Sequence, residues 1–305
     1  MRPDPSVSRR WCVDLTTDDQ TEKIPWQIHA NHEFETGVPS ARRRSVLAGK
    51  EPAAVVNIGK LVSMTVQDIP KSMNLVFRPT DDMNLSGVEL VVATYIFMRH
   101  LPESEILIDI GDCYATRGAL MTLAPKMEVV DDVLNTVVCM LTLASNTNAW
   151  FLPMTIMVYQ PMWCDQHWYL MIIDVREQKL IYVDSLRDPR EADARKTAMM
   201  RVALYLEGMT LGNSWLSGDG AMRPRFSAFK FEESDVPQQA ADSMDCGIWV
   251  AQWMIRAHMW QDYGVQHVNA ATRMRLAVDL VMKSQNQLAQ DSVSKAFAHW
   301  QTETA

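Results

Sequence analysis

The sequence predicts an α+β fold, a central and mainly antiparallel sheet with helices packed against it. Three observations carry that prediction. The runs HWYLMIIDV and KLIYVDSL flank the turn REQK and read as a β-hairpin. The first run is apolar on both faces, which suits a central strand covered by helices. Before and after these runs lie segments whose apolar residues recur at helical spacing.

The elements follow in order. Residues 1–80 are expected to form an N-terminal extension, partly irregular or disordered, because MRPDPSVSRR and GVPSARRRSVLAGKEP are rich in Pro, Ser, Gly and Arg. Ser86 and Glu89 form a capping box ahead of the helix LVVATYIFMRHL. ILIDIGD reads as a short strand. In VVDDVLNTVVCMLTLAS, Val130, Val133, Leu134, Val137 and Val138 share one helical face. FLPMTIMVY is a strand candidate ahead of the hairpin, with QPMWCDQ as the intervening loop. A helix over 190–208 is expected to stop at Gly208. AFKFEESDV is a further strand, CGIWVAQWMIRAHMW a buried helix, and AATRMRLAVDLVMKSQNQLAQ a final amphipathic helix. The catalytic unit is placed at 81–288, with 289–305 as a C-terminal tail.

Hydrophobic content of 48% and charged content of 22% describe an ordinary globular chain. A net charge of −8 argues against a general nucleic-acid footprint. The longest apolar stretch, AWFLPMTIMVY, is too short to cross a bilayer and is interrupted by Pro153, so no membrane span is expected. No secretory leader is read at the N-terminus. The five cysteines, at 12, 113, 139, 164 and 246, show no CxxC pairing and do not read as a disulfide framework. Cys113 and Cys139 read as structural. A reducing, intracellular location is expected. Arg42-Arg43-Arg44 could act as a nuclear-import element, placing the nucleus ahead of the cytoplasm, although a solvated charge run is the plainer reading.

The chemistry-bearing pattern is a Cys, a His and an Asp, each at the end of a regular element. Cys246 opens an apolar helix, where partial positive charge and unpaired N–H groups favour a thiolate. Gly247 adds no side chain beside the sulfur, so a peptide carbonyl can approach. Taken alone, such a cysteine is more often a buried helix residue. His167 begins one strand and Asp184 ends its antiparallel neighbour, so the hairpin brings them side by side. The carboxylate can then fix the imidazole tautomer and stabilise imidazolium. Gln238 and Gln239, shortly before Cys246, offer side-chain amides to an oxyanion. Cys164 and His167 also have a CxxH spacing, but no second ligand pair follows, and no metal is expected.

These motifs together resemble the ubiquitin-like-protein-specific cysteine proteases, the SUMO-protease family. The likeness rests on HW at 167–168, DS at 184–185, PQQ at 237–239, DCGIWV at 245–250 and DDVLN at 131–135. It runs from about residue 110 to 285. It implies a papain-like cysteine protease fold and hydrolysis after the C-terminal Gly-Gly of a ubiquitin-like modifier, SUMO foremost, by deSUMOylation or precursor processing. Cys246 is then the nucleophile, His167 the base and acid, and Asp184 its orienter. Gln239 is preferred over Gln238 as oxyanion donor. Trp168, Asp131 and Gly247 are assigned to substrate binding. No cofactor, nucleic-acid or membrane partner is implied. The sequence departs from the family in two places. The loop QQAADSMDC is about one residue longer than usual. MEVV stands where many members carry a Trp before the DDVLN-like segment, leaving Glu128 near that place. A module that binds such modifiers without cleaving them is one alternative, and an acyltransferase using the same triad is another.

Overall fold

The computed structural model describes residues 64–111, 113–144, 157–212, 225–260 and 264–304. The arginine triplet at 42–44, Cys12 and most of the N-terminal extension lie outside the described residues.

Helix α1 (Gly87–Ile96) starts at the expected capping box: Glu89 Oε2 accepts from the Ser86 backbone N at 2.8 Å. It stops earlier than its apolar run. The carbonyl of Ile96 accepts from Arg117 Nη1 at 3.1 Å, and that of Tyr95 accepts from the same nitrogen, so a buried guanidinium closes the helix end. Strand β1 (Ile106–Ile110) pairs with β2 (Cys113–Thr116) as a small separate antiparallel sheet, turned at Gly111, whose φ is +72°. A short helix α2 (Arg117–Met121) and the longer α3 (Asp131–Ala144) follow.

The main sheet has the order β3-β4-β5-β6. Its strands are β3 (Met157–Cys164), β4 (His167–Asp174), β5 (Lys179–Val183) and β6 (Lys230–Glu233). The first two pairings are antiparallel and the last is parallel, so the mainly antiparallel character stands. Residue alternation makes β4 a divider between two cores. Trp168, Leu170 and Ile172 join Ile181 and Val183 under helix α5 (Cys246–Trp260). Tyr169, Met171 and Ile173 join Leu180 and Tyr182 under helix α4 (Ala192–Gly212). This double burial is what the two-faced apolar run encodes.

Several boundaries differ from the sequence reading. QPMWC is strand rather than loop. It belongs to the edge strand β3, where Pro161 is tolerated because its missing N–H need not serve a second neighbour. FLPMTI lies outside the described residues. Helix α4 continues through Gly208 to Gly212, so that glycine is not its stop. The final apolar run is two helices, α6 (Ala270–Met282) and α7 (Ala289–Thr304). Buried Asn286 separates them. Its Nδ2 donates to the carbonyls of Leu107 and Val281, and its Oδ1 accepts from Asp109 N and Leu288 N. The expected tail at 289–305 is therefore mostly helix, with Ser292 and Ala296 buried against the rest of the fold. At the other end, Ile69 and Met73 pack with Leu90 and Met98, so residues 64–80 belong to the domain rather than to an extension.

The expectation that no cysteines pair is also corrected. Cys113 and Cys139 are joined as a disulfide, because β2 and α3 pack face to face. Cys164 and Cys246 are free thiols.

Candidate active site

The hairpin places two of the site residues. Asp165 and Gln166 both adopt positive φ, at +50° and +59°, giving the two-residue turn that joins β3 to β4. His167 thus follows a tight turn and begins β4, rather than leaving a long loop. Beyond β5, Asp184 lies across from it. His167 Nε2 and Asp184 Oδ1 are 2.6 Å apart. The His167 side chain is 6% exposed and the Asp184 side chain 0%.

A buried carboxylate needs compensation, and Asp184 has it on every side. Oδ1 also accepts from Leu186 N at 2.8 Å. Oδ2 accepts from the Tyr182 hydroxyl and from Arg195 Nη1. Arg195, from the first turns of α4, is itself buried and also bonds Glu191 and, at 3.0 Å, the carbonyl of Leu186. Burial alone would raise the Asp184 pKa, but the bonds to His167 and Tyr182 and the charges of His167 and Arg195 hold it below the usual carboxylate value.

Cys246 is the first residue of α5, buried at the helix N-terminus. Its thiol is close enough to His167 to act on the imidazole. Burial opposes the imidazolium, yet the hydrogen bonds and charges of Asp184 and Cys246 override it and push the His167 pKa up to about 9. An imidazole so disposed beside a thiol and a carboxylate can take the proton of a thiol nucleophile. Cys164 differs: burial and the neighbouring Asp165 carboxylate, 3.3 Å from its sulfur, push its thiol up to about 11.

The loop ahead of Cys246 is fixed by a residue that the sequence reading did not single out. Arg273 of α6, 1% exposed, donates from Nε to Asp245 Oδ1 at 2.7 Å. It also donates to the carbonyls of Met244 at 2.6 Å and Ala124 at 3.1 Å. Ser243 Oγ holds the other Asp245 oxygen at 2.6 Å.

The glutamines tie this loop to the hairpin. Gln239 N donates to Ser185 O at 2.6 Å, its Oε1 accepts from Ser185 Oγ at 2.9 Å, and its Nε2 donates to Ser243 O at 3.0 Å. Gln238 Nε2 donates to Asp184 O at 2.9 Å. Both side chains thus brace the loop against the segment after β5 that carries Asp184.

Of the substrate-binding assignments, Trp168 is buried and donates from Nε1 to Val129 O at 2.9 Å. Its ring packs on Trp163, with centroids 4.9 Å apart. Gly247 does not leave open space beside the sulfur, which corrects the reason given for it. A Cβ there would meet Val129 Cβ at 2.8 Å and Trp168 Cδ1 at 3.3 Å. The glycine is needed for close packing of α5 on Val129 and Trp168. Val129 therefore fills the space beside Gly247. Glu128 beside it is exposed. Asp131 begins α3 two residues further on, and its Oδ1 accepts from Asp132 N at 3.1 Å.

With this geometry in hand, the comparison with known proteins is specific. Residues 140–274, which hold His167, Asp184 and Cys246, match the Ulp1 protease family, C-terminal catalytic domain. This stretch is a Ulp1-family cysteine peptidase domain. A solved structure of the SUMO protease Ulp1, with its catalytic cysteine oxidized to a sulfenic acid, superimposes with a TM-score of 0.50 at 17% identity, covering 70% of this chain and 100% of that one. The C-terminal Ulp1 protease domain in complex with Smt3, the yeast ortholog of SUMO, gives a TM-score of 0.49 at 18% identity, covering 71% and 100%. The first likeness establishes the shared fold of the peptidase domain. A comparison with curated proteins finds no match.

Proposed function

We propose that this peptidase domain hydrolyses the bond after the C-terminal Gly-Gly of a ubiquitin-like modifier, with SUMO as the first candidate. The observation that carries the reading is the buried Asp184–His167 pair with the Cys246 thiol close enough to act on the imidazole. In this mechanism the Cys246 thiolate attacks the glycine carbonyl while His167 holds the proton. His167 then protonates the leaving amine and later activates the water that hydrolyses the acyl-enzyme. Asp184 keeps the imidazole oriented. The Cys246 backbone N–H and the Gln239 side-chain amide are the proposed oxyanion donors.

One observation favours a second reading, a module that binds the modifier without cutting it. The Nε2 donors of Gln238 and Gln239 both already bond backbone carbonyls. A panel of modifiers carrying C-terminal electrophiles, tested on wild type and Cys246→Ala, separates the readings. The peptidase reading expects covalent labelling at Cys246 by one modifier class and none in the variant. Tight binding without labelling would support the module.

A further inference from the structure

The geometry points to a divalent transition-metal site, with zinc as the fitting ion, formed by His100, His299 and Glu303 between the chain after α1 and the last turns of α7. Their ligand atoms all lie within 4.8 Å of one another. His299 and Glu303 are four residues apart on α7, so they project from one helix face. His100 meets them from the turn that follows α1.

The spacing is that of ligands around an ion rather than of groups bonded to each other. Glu303 Oε1 lies 3.6 Å from His100 Nε2 and 3.8 Å from His299 Nε2. Both distances exceed the 2.7–3.2 Å or so of an N–H···O hydrogen bond. They approach the separation of about 3.3–3.5 Å between neighbouring ligands of a tetrahedral zinc with metal–ligand bonds near 2.0–2.1 Å. The rings of His100 and His299 stand 5.3 Å apart, centroid to centroid.

A second observation is independent of spacing. His299 Nε2 is buried without a hydrogen-bond partner among the described residues. An orphaned buried nitrogen forfeits its hydration for nothing in return, and a coordinated ion would satisfy it. Tyr95 stacks edge-on against the His299 ring at 6.0 Å and braces it. Two imidazoles and one carboxylate are the donor set of zinc and its neighbours rather than of calcium or magnesium. His100 is exposed, leaving a solvent-facing fourth position for water. The ion would pin α7 to the chain leaving α1.

The test uses the full chain carrying Cys246→Ser, so that the active-site thiol does not itself take zinc. Competition against a chromophoric chelator should find a zinc site that is weakened tenfold or more by Glu303→Gln and lost in His299→Ala. His100→Ala, at an exposed position, provides a variant that keeps its fold if His299→Ala does not. Added zinc should raise the melting temperature of the Cys246→Ser protein and leave that of its His100→Ala derivative unmoved. Absence of zinc binding, or binding and thermal shift unchanged in both His100→Ala and Glu303→Gln, would overturn the site.

Discussion

His167 and Asp184 reach each other across one hairpin, whereas Cys246 arrives on a helix from far along the chain. The two halves are held by different physics. In the hairpin, strand register does the positioning: Leu170 pairs with Val183 and Asp174 with Lys179, and the residues just beyond are brought together by continuation. The Cys246 half has no ladder. Arg273 instead joins the loop before Cys246 to carbonyls following α2, and the glutamines join it to the end of β5. Both halves are backed by a buried arginine, Arg195 on one side and Arg273 on the other. Local pairing places the His167–Asp184 couple, and long-range side-chain ties hold the loop that leads into Cys246.

The largest expected effect breaks the couple from either side. His167→Ala and Cys246→Ala should each lower modifier cleavage by about 10⁴-fold or more, and the double variant should fall little further, because the residues act as a unit. Losses that simply multiply in the double variant would mean they do not.

Removing the arginines sharpens the comparison. Each deletion takes a buried arginine away from its carboxylate, and a broken buried pair costs about 3–5 kcal/mol. Urea unfolding should show this for Arg195→Met, whose partner Asp184 is wholly buried, and less for Arg273→Met, whose partner Asp245 is 28% exposed. If Asp184→Asn leaves the Arg195→Met penalty unchanged, the brace is not electrostatic.

Gly247→Ala comes next. The added methyl meets Val129 at 2.8 Å, and overpacking of this kind costs about 1–3 kcal/mol. A melting temperature equal to wild type would show that Val129 yields freely.

The smallest effect is on pH dependence. His167 is raised from 6.5 to about 9, so its contribution to stability is complete below the unfolded value and is lost as pH rises through the folded one. Relative to His167→Gln, wild type should lose melting temperature between these limits. Cys246→Ala should reduce that slope, because the thiol is one of the groups that raise the imidazole. A slope of opposite sign would contradict the assignment of a charged His167.

Much of this was legible in the sequence because the carriers are local. The hairpin, the capping box at Ser86 and the helix behind Cys246 are short-range patterns, and they appear much as expected. The arginines were missed, although each left a trace. Arg195 heads the stripe Ala198, Met199, Val202 and Ala203, and Arg273 heads Leu276, Ala277 and Leu280, all buried. A charge on an apolar stripe signals a buried ion pair, but its partner lies on another element and no spacing names it. The break at Asn286 was missed for the same reason, since its bonds reach β1. The space beside Gly247 was misjudged because Val129, which fills it, is distant in sequence.

The central claim is that this constellation cuts rather than merely binds. The direct measurement is mass spectrometry of a SUMO precursor incubated with the full chain. The account predicts a single cut immediately after the Gly-Gly, absent with Cys246→Ala and His167→Ala. An intact precursor held in a stable complex with the wild-type chain would contradict it.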